Sequence, residues 1–454
     1  MKQRISRARR YVTGGGLGPF LVRSVAGSGV VQLGGMIATF LVGVQLARGL
    51  GVTGYGYYGI AMAVITLAMI PGTFGIPKLV TREVAAAQSR DEPALIFGVL
   101  RWADRVCGRI SALIAGLIAV GGLIAWRNGS PVVGLTILCG APMVALLPLA
   151  AIRGAGLRGL HRVVLGQLAN VLFRPLAMAI LLFAILVAGV ALGAPAVMAL
   201  NSIIAALALL LTHRWLTRSL PTEKPTQPRL DSRGWLAASI PMALGDAVMT
   251  LQRQLAVLLL GVLAAAAEVG LFRASIATAA VLTVPLTVVN IVVLPMFSRL
   301  HIERDQARLQ KVVTASALIQ FAGVLVLSLP LLVAAGPLFA LVFGNSYAPA
   351  ADTIRVLAAG AIFGAAVGPN APLLNMTGHE RRVTRAVAIA LVINIALVAI
   401  LAPTMGSLGT AISVVAGQCC WNVILWQDAR RRLSVDTSIL GVFLLLSIEP
   451  TRPQ

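Results

Sequence analysis

An all-α membrane protein with about twelve transmembrane helices is the fold class that the sequence predicts. Of its 454 residues, 58% are hydrophobic and only 11% are charged, and the mean hydropathy is +0.91, which is far from the composition of a water-soluble globule. The apolar residues also fall in runs long enough to cross a hydrocarbon core of ~30 Å. The polar segments between the runs are short, so no outer loop can hold a catalytic domain.

The apolar runs define the predicted helices, and the longest polar segment divides them into two groups of six. The predicted spans are 21–47, 57–80, 106–126, 131–152, 163–187, 194–212, 235–261, 269–297, 312–343, 353–376, 383–403 and 407–427. Pro221, Pro225 and Pro228 prevent a continuous helix in the polar segment. We therefore predict a cytoplasmic tail (1–20), a first six-helix bundle (21–212), a cytoplasmic hinge (213–234), a second six-helix bundle (235–427) and a cytoplasmic C-terminal tail (428–454).

The distribution of basic residues tests the number of spans. When loops are assigned to alternate sides, one side receives Arg82, Arg90, Arg101, Arg105, Arg153, Arg158, Arg162, Arg299, Arg304, Arg308, Lys311, Arg381, Arg382, Arg385, Arg430, Arg431 and Arg432. The other side receives only Arg48, Arg127 and Arg355. The positive-inside rule places the first side in the cytoplasm, so both termini are predicted to be cytoplasmic. Because the net charge of +22 lies in short loops between apolar runs, it does not indicate a nucleic-acid partner.

A faint internal repeat relates the two groups of helices. Gly56-Tyr57-Tyr58 opens the second predicted helix, and Gly270-Leu271-Phe272 opens the eighth in the same direction across the membrane. This pattern predicts two parallel bundles related by an axis along the membrane normal, with a cavity between them. Such a repeat is more typical of a transporter than of a channel or an enzyme.

Motifs for catalysis, metal binding or cofactor binding are not evident. Two GxGxxG strings, at 54–59 and 154–159, lie at helix ends rather than after a strand of a βαβ unit, so neither predicts a dinucleotide site. The four cysteines lack metal-ligand spacing and behave as small apolar residues. We therefore predict no catalytic residue, no metal and no cofactor.

Charged residues inside the apolar runs are the strongest candidates for a functional site. A charge at the bilayer centre costs ~2.5–3.5 kcal/mol on insertion scales, so it needs a polar or charged partner or a water-filled cavity. Arg174 is predicted to lie near the middle of the fifth helix, and Gln167 and Asn170 share its face. We predict that these three residues line a substrate path. Small and polar residues on the first helix, Ser24, Ser28, Gln32, Gly35 and Thr39, are more typical of close helix packing.

Other intramembrane charges extend the predicted path or serve the fold. Asp246 lies near mid-depth of the seventh helix and is a candidate for ion coupling, or for a structural ion pair with Arg174 or Arg253. Arg253, Arg273 and Arg48 lie nearer the outer ends of their helices, where they either line the anion path or snorkel to the interface. A path with more arginine than acid suits an anionic substrate, phosphate in particular, and one that is part lipid.

Two stretches carry a resemblance to a known family. The segment LVFGNSYAPAADTIRVLAAGAIFGAAVGPNAPLLNMTGHERR, residues 341–382, resembles the tenth-helix region of polysaccharide flippases. The segment LARGLGVTGYGYYGIAMAV, residues 46–64, resembles the first loop and second helix of the same family. The family is the polysaccharide (O-antigen type) branch of the multidrug/oligosaccharidyl-lipid/polysaccharide exporter superfamily, and the likeness extends over about residues 21–427.

The resemblance implies a protein of the bacterial inner membrane that flips polyprenyl-pyrophosphate-linked oligosaccharide to the periplasmic leaflet by alternating access. It further implies a cationic cavity that holds the pyrophosphate, with the lipid-linked oligosaccharide and membrane lipids as partners. A polysaccharide polymerase and glycosyltransferases are further candidate partners. The sequence departs from many relatives at the end of the seventh helix, where LQRQLAVLLLG has Gln254 instead of an acid. Either Asp246 replaces that acid or ion coupling is absent.

Four other functions remain open at this point. A cation-coupled drug exporter of the same superfamily should have more acids than arginines in its cavity, which this sequence does not. A lipid II flippase has closely related substrate chemistry. A membrane glycosyltransferase or polymerase should show a large outer loop or an acidic catalytic motif, and neither is present. A non-transporting scaffold would leave the intramembrane arginines unexplained.

Overall fold

The computed structural model describes residues 17–221 and 231–442, with side chains from residue 27 onward. Most of the predicted N-terminal tail, the centre of the predicted hinge and the end of the C-terminal tail lie outside the described residues. In the described part of the chain, each of the twelve predicted spans is mostly helical. There, ten helices are long and apolar enough to cross a membrane, and two of these consist of two helices joined at a kink, at Gly51 and Gly406. The all-α polytopic prediction is therefore confirmed.

The chain divides into two compact units. Unit 1 comprises the residues up to Gln45 together with Val64–Ala247, and unit 2 comprises Leu46–Ala63 together with the residues from Val248 onward. Helices α1 (Leu17–Ala68) and α10 (Ser232–Leu263) each contribute residues to both units. The predicted six-helix bundles have other boundaries and stay a prediction.

The helices are numbered along the chain. Unit 1 contains α2 (Ile70–Thr73), α3 (Ile76–Ser89), α4 (Pro93–Arg127), α5 (Pro131–Gly140), α6 (Met143–Gly159), α7 (Val163–Gln167), a π-helical stretch (Leu168–Phe173), α8 (Arg174–Val187) and α9 (Ala194–Ser219). Unit 2 contains α11 (Ala266–Val281), α12 (Val284–Ile302), α13 (Gln306–Val333), α14 (Ala335–Phe343), a 3₁₀ turn (Asn345–Ala350), α15 (Ala351–Val367), α16 (Asn370–Met376) and α17 (Glu380–Leu433).

Helices extend into the predicted hinge, residues 213–234, from both ends. Helix α9 continues to Ser219 because Leu216 is buried in the core of unit 1, where Trp215 and Leu220 also pack. It ends there because Pro221 disfavours helical geometry at the residue before it, and Leu220 is accordingly extended, with ψ 151°. The next helix begins at Ser232. Helices α9 and α10 thus extend into both ends of 213–234, and the three prolines lie in sequence between them.

The second predicted span is broken rather than continuous. Pro71 and Pro77 lie in the first turns of α2 and α3, and Phe74 and Gly75 between them have positive φ. Gly75 approaches the backbone of α10 so closely that an added Cβ would lie 2.6 Å from the carbonyl oxygen of Ser239. This close approach requires glycine and fixes the break against α10.

Gly56 and Gly270, which open the two repeat segments, each pack against the helix of the other segment within unit 2. A Cβ on Gly56 would lie 1.8 Å from the carbonyl oxygen of Ala266, and one on Gly270 would lie 2.0 Å from that of Val52. The two helices therefore touch backbone to backbone at residues that correspond in the repeat. Close contacts of this kind are typical of small residues at membrane helix interfaces.

The beginning of the predicted C-terminal tail belongs to the packed part of unit 2. Helix α17 continues to Leu433, and the segment that follows is buried from Val435 to Ser438. The Gln310 side chain accepts a hydrogen bond from the backbone N–H of Asp436 at 2.8 Å and donates one to the carbonyl of the same residue at 2.8 Å. The first residues of the predicted tail are therefore packed and hydrogen-bonded, while its boundary at 428 and its cytoplasmic side stay predictions.

The contact between the repeat glycines gives a stability prediction. We expect Gly270→Ala to lower the free energy of unfolding by about 1–3 kcal/mol, because the new methyl group would overlap the Val52 carbonyl. Gly116→Ala is the matched control, since Gly116 lies inside α4 with nothing within 4 Å of an added Cβ. Thermal unfolding in detergent micelles measures both variants. Equal midpoints for Gly270→Ala and Gly116→Ala would contradict this account of the contact.

Candidate functional site: a cationic cavity in unit 1

The fifth predicted span changes its helical register next to Arg174. Leu168–Phe173 is π-helical, and Pro175 lies in the first turn of the α-helix that follows. Proline has no N–H for the carbonyl four residues earlier, which here is that of Val171. The Val171 carbonyl faces α1, where an added Cβ on Gly35 would lie 2.2 Å from its oxygen. Glycine at position 35 therefore makes room for the displaced carbonyl.

The π-helical stretch borders a cavity of about 350 Å³ inside unit 1. Its polar lining residues are Thr73, Arg158, Gln167, Asn170 and Arg174, and its apolar ones are Met69, Leu147, Pro148, Ala151 and Val171, with Gly166. The structure thus brings Arg174, Gln167 and Asn170 together in one cavity. π-helical turns occur frequently at functional sites, where they redirect side chains.

Two guanidinium groups reach the cavity, and each donates to a neutral neighbour. Arg174 Nη2 donates to Asn201 Oδ1 of α9 at 3.4 Å, a long hydrogen bond to a buried side chain. Arg158 Nη1 donates to the carbonyl oxygen of Gly166 at 3.3 Å. These bonds orient the two groups, and because both acceptors are neutral, neither bond neutralises the positive charge of the pair.

The cavity also has a hydrogen-bond acceptor. Gln167 Oε1 is buried and has no hydrogen-bond partner within the described segments. A buried acceptor without a partner costs ~1–3 kcal/mol, which a bound hydroxyl group or water would recover. A site with two arginines and a side-chain amide oxygen can bind a phosphate and a neighbouring hydroxyl group together.

Asp246 pairs with a residue that the sequence did not suggest. Its Oδ1 lies 2.6 Å from Nζ of Lys78 on α3, and both side chains are about half exposed. The sequence analysis considered Arg174 and Arg253 as partners and missed Lys78. Lys78 follows Pro77 at the start of α3, so the break in the second span places its ammonium group beside α10.

Arg48 holds the end of a helix in unit 2. Its Nε donates to the carbonyl of Val342 at 2.8 Å, and its Nη2 donates to the carbonyl of Leu341. Both acceptors belong to the last turn of α14, whose carbonyl groups have no partners inside the helix. Tyr347 adds a hydrogen bond from its hydroxyl group to the Ala47 carbonyl at 3.1 Å. Arg48 therefore serves the fold, in addition to any contact with an anion.

Arg273 and Arg253 also belong to unit 2, but they have different surroundings. The Arg273 guanidinium lies 5.8 Å and 5.9 Å from the ring centroids of Tyr55 and Tyr58, within cation–π distance. Its Nε is buried without a hydrogen-bond partner in the described part of the chain, and Gly59 leaves room for its stem. Arg253 is exposed and has no hydrogen bond or ion pair with any described residue. Arg48, Arg253 and Arg273 share no contact residue among the bonds and ring contacts of the described residues.

Comparison with protein-family models gives one match over more than half of the chain. Residues 21–301 match the family described as polysaccharide biosynthesis protein. The chain belongs to this polysaccharide biosynthesis protein family. Comparison with curated protein sequences gave no match.

The fold of this polysaccharide biosynthesis protein is similar to those of solved membrane transporters. An inward-facing multidrug resistance MATE family transporter of the MOP superfamily superimposes with a TM-score of 0.73 at 14% identity, covering 89% of this chain and 98% of that one. The lipid II flippase MurJ in an inward closed conformation gives 0.69 at 12% identity, covering 94% and 92%. The MATE multidrug transporter DinF-BH gives 0.62 at 13% identity, covering 94% and 96%. At these identities the likeness shows the fold alone.

Sequence reasoning missed two of the residues that shape the cavity of this family member. Arg158 was counted among the loop residues because it lies one position before the end of α6. The glycines near Arg158 in the sequence could have indicated close packing there. An added Cβ on Gly154 or Gly166 would lie 2.6 Å or less from the carbonyl oxygen of the other glycine. Asn201 is an isolated amide in an apolar run, and that isolation could have identified it.

The contact between Arg48 and α14 gives a second prediction. We expect Arg48→Gln to lower the free energy of unfolding by about 1.5–3 kcal/mol, because the charged group that binds two helix-end carbonyls is lost. Arg253→Gln removes the same charge from unit 2 without removing a bond to a described residue, so its unfolding midpoint should stay near that of the parent protein. Thermal unfolding compares the two. A midpoint for Arg48→Gln that matches the control would show that Arg48 does not hold α14.

Proposed function

We propose that this member of the polysaccharide biosynthesis family flips polyprenyl-pyrophosphate-linked oligosaccharide from the cytoplasmic to the periplasmic leaflet of a bacterial inner membrane. Transport is by alternating access, and the termini are cytoplasmic. The observation that carries the proposal is the cavity of unit 1, where Arg158 and Arg174 face the same space as Gln167 and Asn170. Family membership supports the polysaccharide part of the substrate.

The chemistry of the cavity favours a pyrophosphate over a cationic drug. Arginine donates paired N–H groups to phosphate oxygens and keeps its charge at any physiological pH. No carboxylate is among the residues that line this cavity. A site for a cationic drug is expected to contain at least one carboxylate that balances the charge of the drug. The charged residues that line the cavity are both arginines, which favours an anionic ligand.

The amide groups suit the sugar that follows the pyrophosphate. Gln167 Oε1 is an acceptor without a described partner, and a sugar hydroxyl group is a donor of matching chemistry. Asn170 offers both a donor and an acceptor from the same wall. The prenyl chain stays in the lipid, so the cavity has to hold only the headgroup.

The arginines of unit 2 are proposed to contact the pyrophosphate later in the cycle. Arg273 is the stronger candidate, because its Nε is buried without a described partner. Arg48 gives two of its five N–H groups to carbonyls and retains three. Arg253 is the exposed member of the proposed series. A polymerase and glycosyltransferases as partners stay predictions from the family resemblance.

Flipping in proteoliposomes tests the proposal. A short polyprenyl-pyrophosphate oligosaccharide is loaded into vesicles, and its exposure to a membrane-impermeant glycosidase is followed. We expect Arg174→Gln and Arg158→Gln each to lower the flipping rate by about tenfold or more, the effect of losing a charged hydrogen bond. Arg127→Gln is the matched control, because Arg127 is exposed at the end of α4 and does not line the cavity. It should flip at the parent rate.

The same assay is run with the lipid-linked oligosaccharide, lipid II and a cationic dye in separate vesicles, and the comparison distinguishes the three candidate functions. Protein-dependent exposure of the oligosaccharide, without transport of lipid II or of a cationic dye, supports the proposal. Transport of lipid II alone would indicate a lipid II flippase, and transport of the dye alone would indicate a drug exporter; either result would contradict the proposal. Normal flipping by a well-expressed Arg174→Glu variant would contradict the role assigned to the cavity.

Ion coupling through Asp246 is a separate proposal. If Asp246 binds the coupling ion, Asp246→Asn should remove the stimulation of flipping by a proton or sodium gradient while leaving the gradient-free rate unchanged. Asp352→Asn is the control, since Asp352 is also exposed and paired, with Arg355 at 2.7 Å. Gradient stimulation that persists in Asp246→Asn would contradict a role of Asp246 in ion coupling.

A further inference from the structure

A second group of arginines lies on the outside of unit 1. Arg101, Arg105 and Arg109 follow one another at four-residue spacing on α4, and all three are exposed. None of them forms a hydrogen bond or an ion pair with another residue in the part of the chain that the structure describes. Arg105 and Arg109 border a groove of about 420 Å³, which Trp102, Val106, Ile110 and Ser232 also line.

The same face of α4 continues as a lipid-exposed apolar surface. Leu113, Leu117, Val120 and Ile124 follow at helical spacing, and each has more than half of its surface exposed. Charged and apolar positions thus lie in series along one helix face, with the arginines at the end that is predicted to be cytoplasmic. A ligand that fits this face carries a negative group next to a hydrocarbon chain.

The length of α4 places the change from charged to apolar at the membrane boundary. The helix has 35 residues, whereas ~20 residues cross the hydrocarbon core. Counted back from Arg127, the core ends at about Cys107, between Arg105 and Arg109. Trp102, which lines the groove, packs against Trp235 with ring centroids 5.4 Å apart, and both rings are buried in the core of unit 1. The groove therefore lies at the level of lipid phosphate groups.

We propose that this groove binds an anionic glycerophospholipid, with the phosphate between Arg105 and Arg109 and an acyl chain along Ile110 and Leu113. Charge complementarity favours an anionic over a zwitterionic headgroup, because no described acid pairs with either arginine. The carboxylate of Asp231, one residue before α10, accepts the N–H of Gly234 in the first turn of that helix. The linker residues 222–230 are a poor alternative occupant, since they carry Lys224 and Arg229 against only Glu223.

This site is separate from the cavity of the proposed transport function and does not depend on it. Basic pockets at the cytoplasmic ends of membrane helices recognise lipid headgroups, and each cation near the surface contributes measurably to affinity. Bound lipid would cover the groove between α4 and the start of α10, within unit 1. The proposal thus adds a structural lipid to the protein.

Native mass spectrometry of the full chain in detergent micelles, titrated with phosphatidylglycerol or phosphatidylcholine, tests the site. We expect the double variant Arg105→Gln/Arg109→Gln to bind phosphatidylglycerol about tenfold or more weakly, since two surface cations are lost. Arg381→Gln/Arg385→Gln is the matched control: both residues are exposed at the same spacing on α17, and neither lines the groove. The control should bind within about twofold of the parent protein, because its cations lie outside the groove.

Two further variants separate the groove from net charge and from folding. Val106→Trp/Ile110→Trp fills the groove without changing charge and should weaken binding as strongly as the arginine variant. Arg105→Lys/Arg109→Lys keeps the charge and should retain most of the affinity. Equal losses in the groove and control variants, or equal binding of phosphatidylcholine by the parent protein, would overturn the proposal. Displacement of phosphatidylglycerol by polyprenyl pyrophosphate at equimolar concentration would reassign the groove to the transported lipid and overturn it as well.

Discussion

A helix within a membrane has to satisfy its own backbone hydrogen bonds, because lipid offers none. The interruptions in this chain follow from that constraint. The second span breaks where Pro71 and Pro77 each open a new helical turn and Gly75 packs on α10. The fifth span changes to π-helix before Pro175, and the end of α14 finds donors in Arg48. Each interruption has a local chemical reason, and each lies beside a polar or cationic group.

The cavity of unit 1 is a product of two of these interruptions. The π-helical stretch separates Gln167 from Arg174, and the broken second span contributes Thr73 to the cavity lining. If either segment were a regular α-helix, its side chains would pack against the neighbouring helices instead of bordering a cavity. The same residues that weaken the helices therefore create the space in which a polar headgroup can be held.

Much of the fold could be predicted because the hydrophobic pattern and the loop charges are global signals. The twelve predicted spans are mostly helical in the structure, and the face shared by Gln167, Asn170 and Arg174 followed from helical spacing alone. Ion-pair partners could not be predicted in the same way. Lys78 becomes a partner of Asp246 only because the break at Gly75 redirects the start of α3. Arg158 was missed for a similar reason, since tight glycine packing, which has no periodicity, turns it toward the cavity.

The family block at residues 341–382 has a physical explanation that the sequence did not provide. Its Leu341, Val342 and Tyr347 bind the Ala47–Arg48 segment, so the two stretches that carry the family resemblance contact each other. The bonded residues are 293 to 300 positions apart. During synthesis, residues 46–63 are therefore inserted long before their packing partners in unit 2 exist. The early helix has to remain in the bilayer with its small and cationic residues uncovered until the last third of the chain arrives, which makes completion of unit 2 a late event in biogenesis.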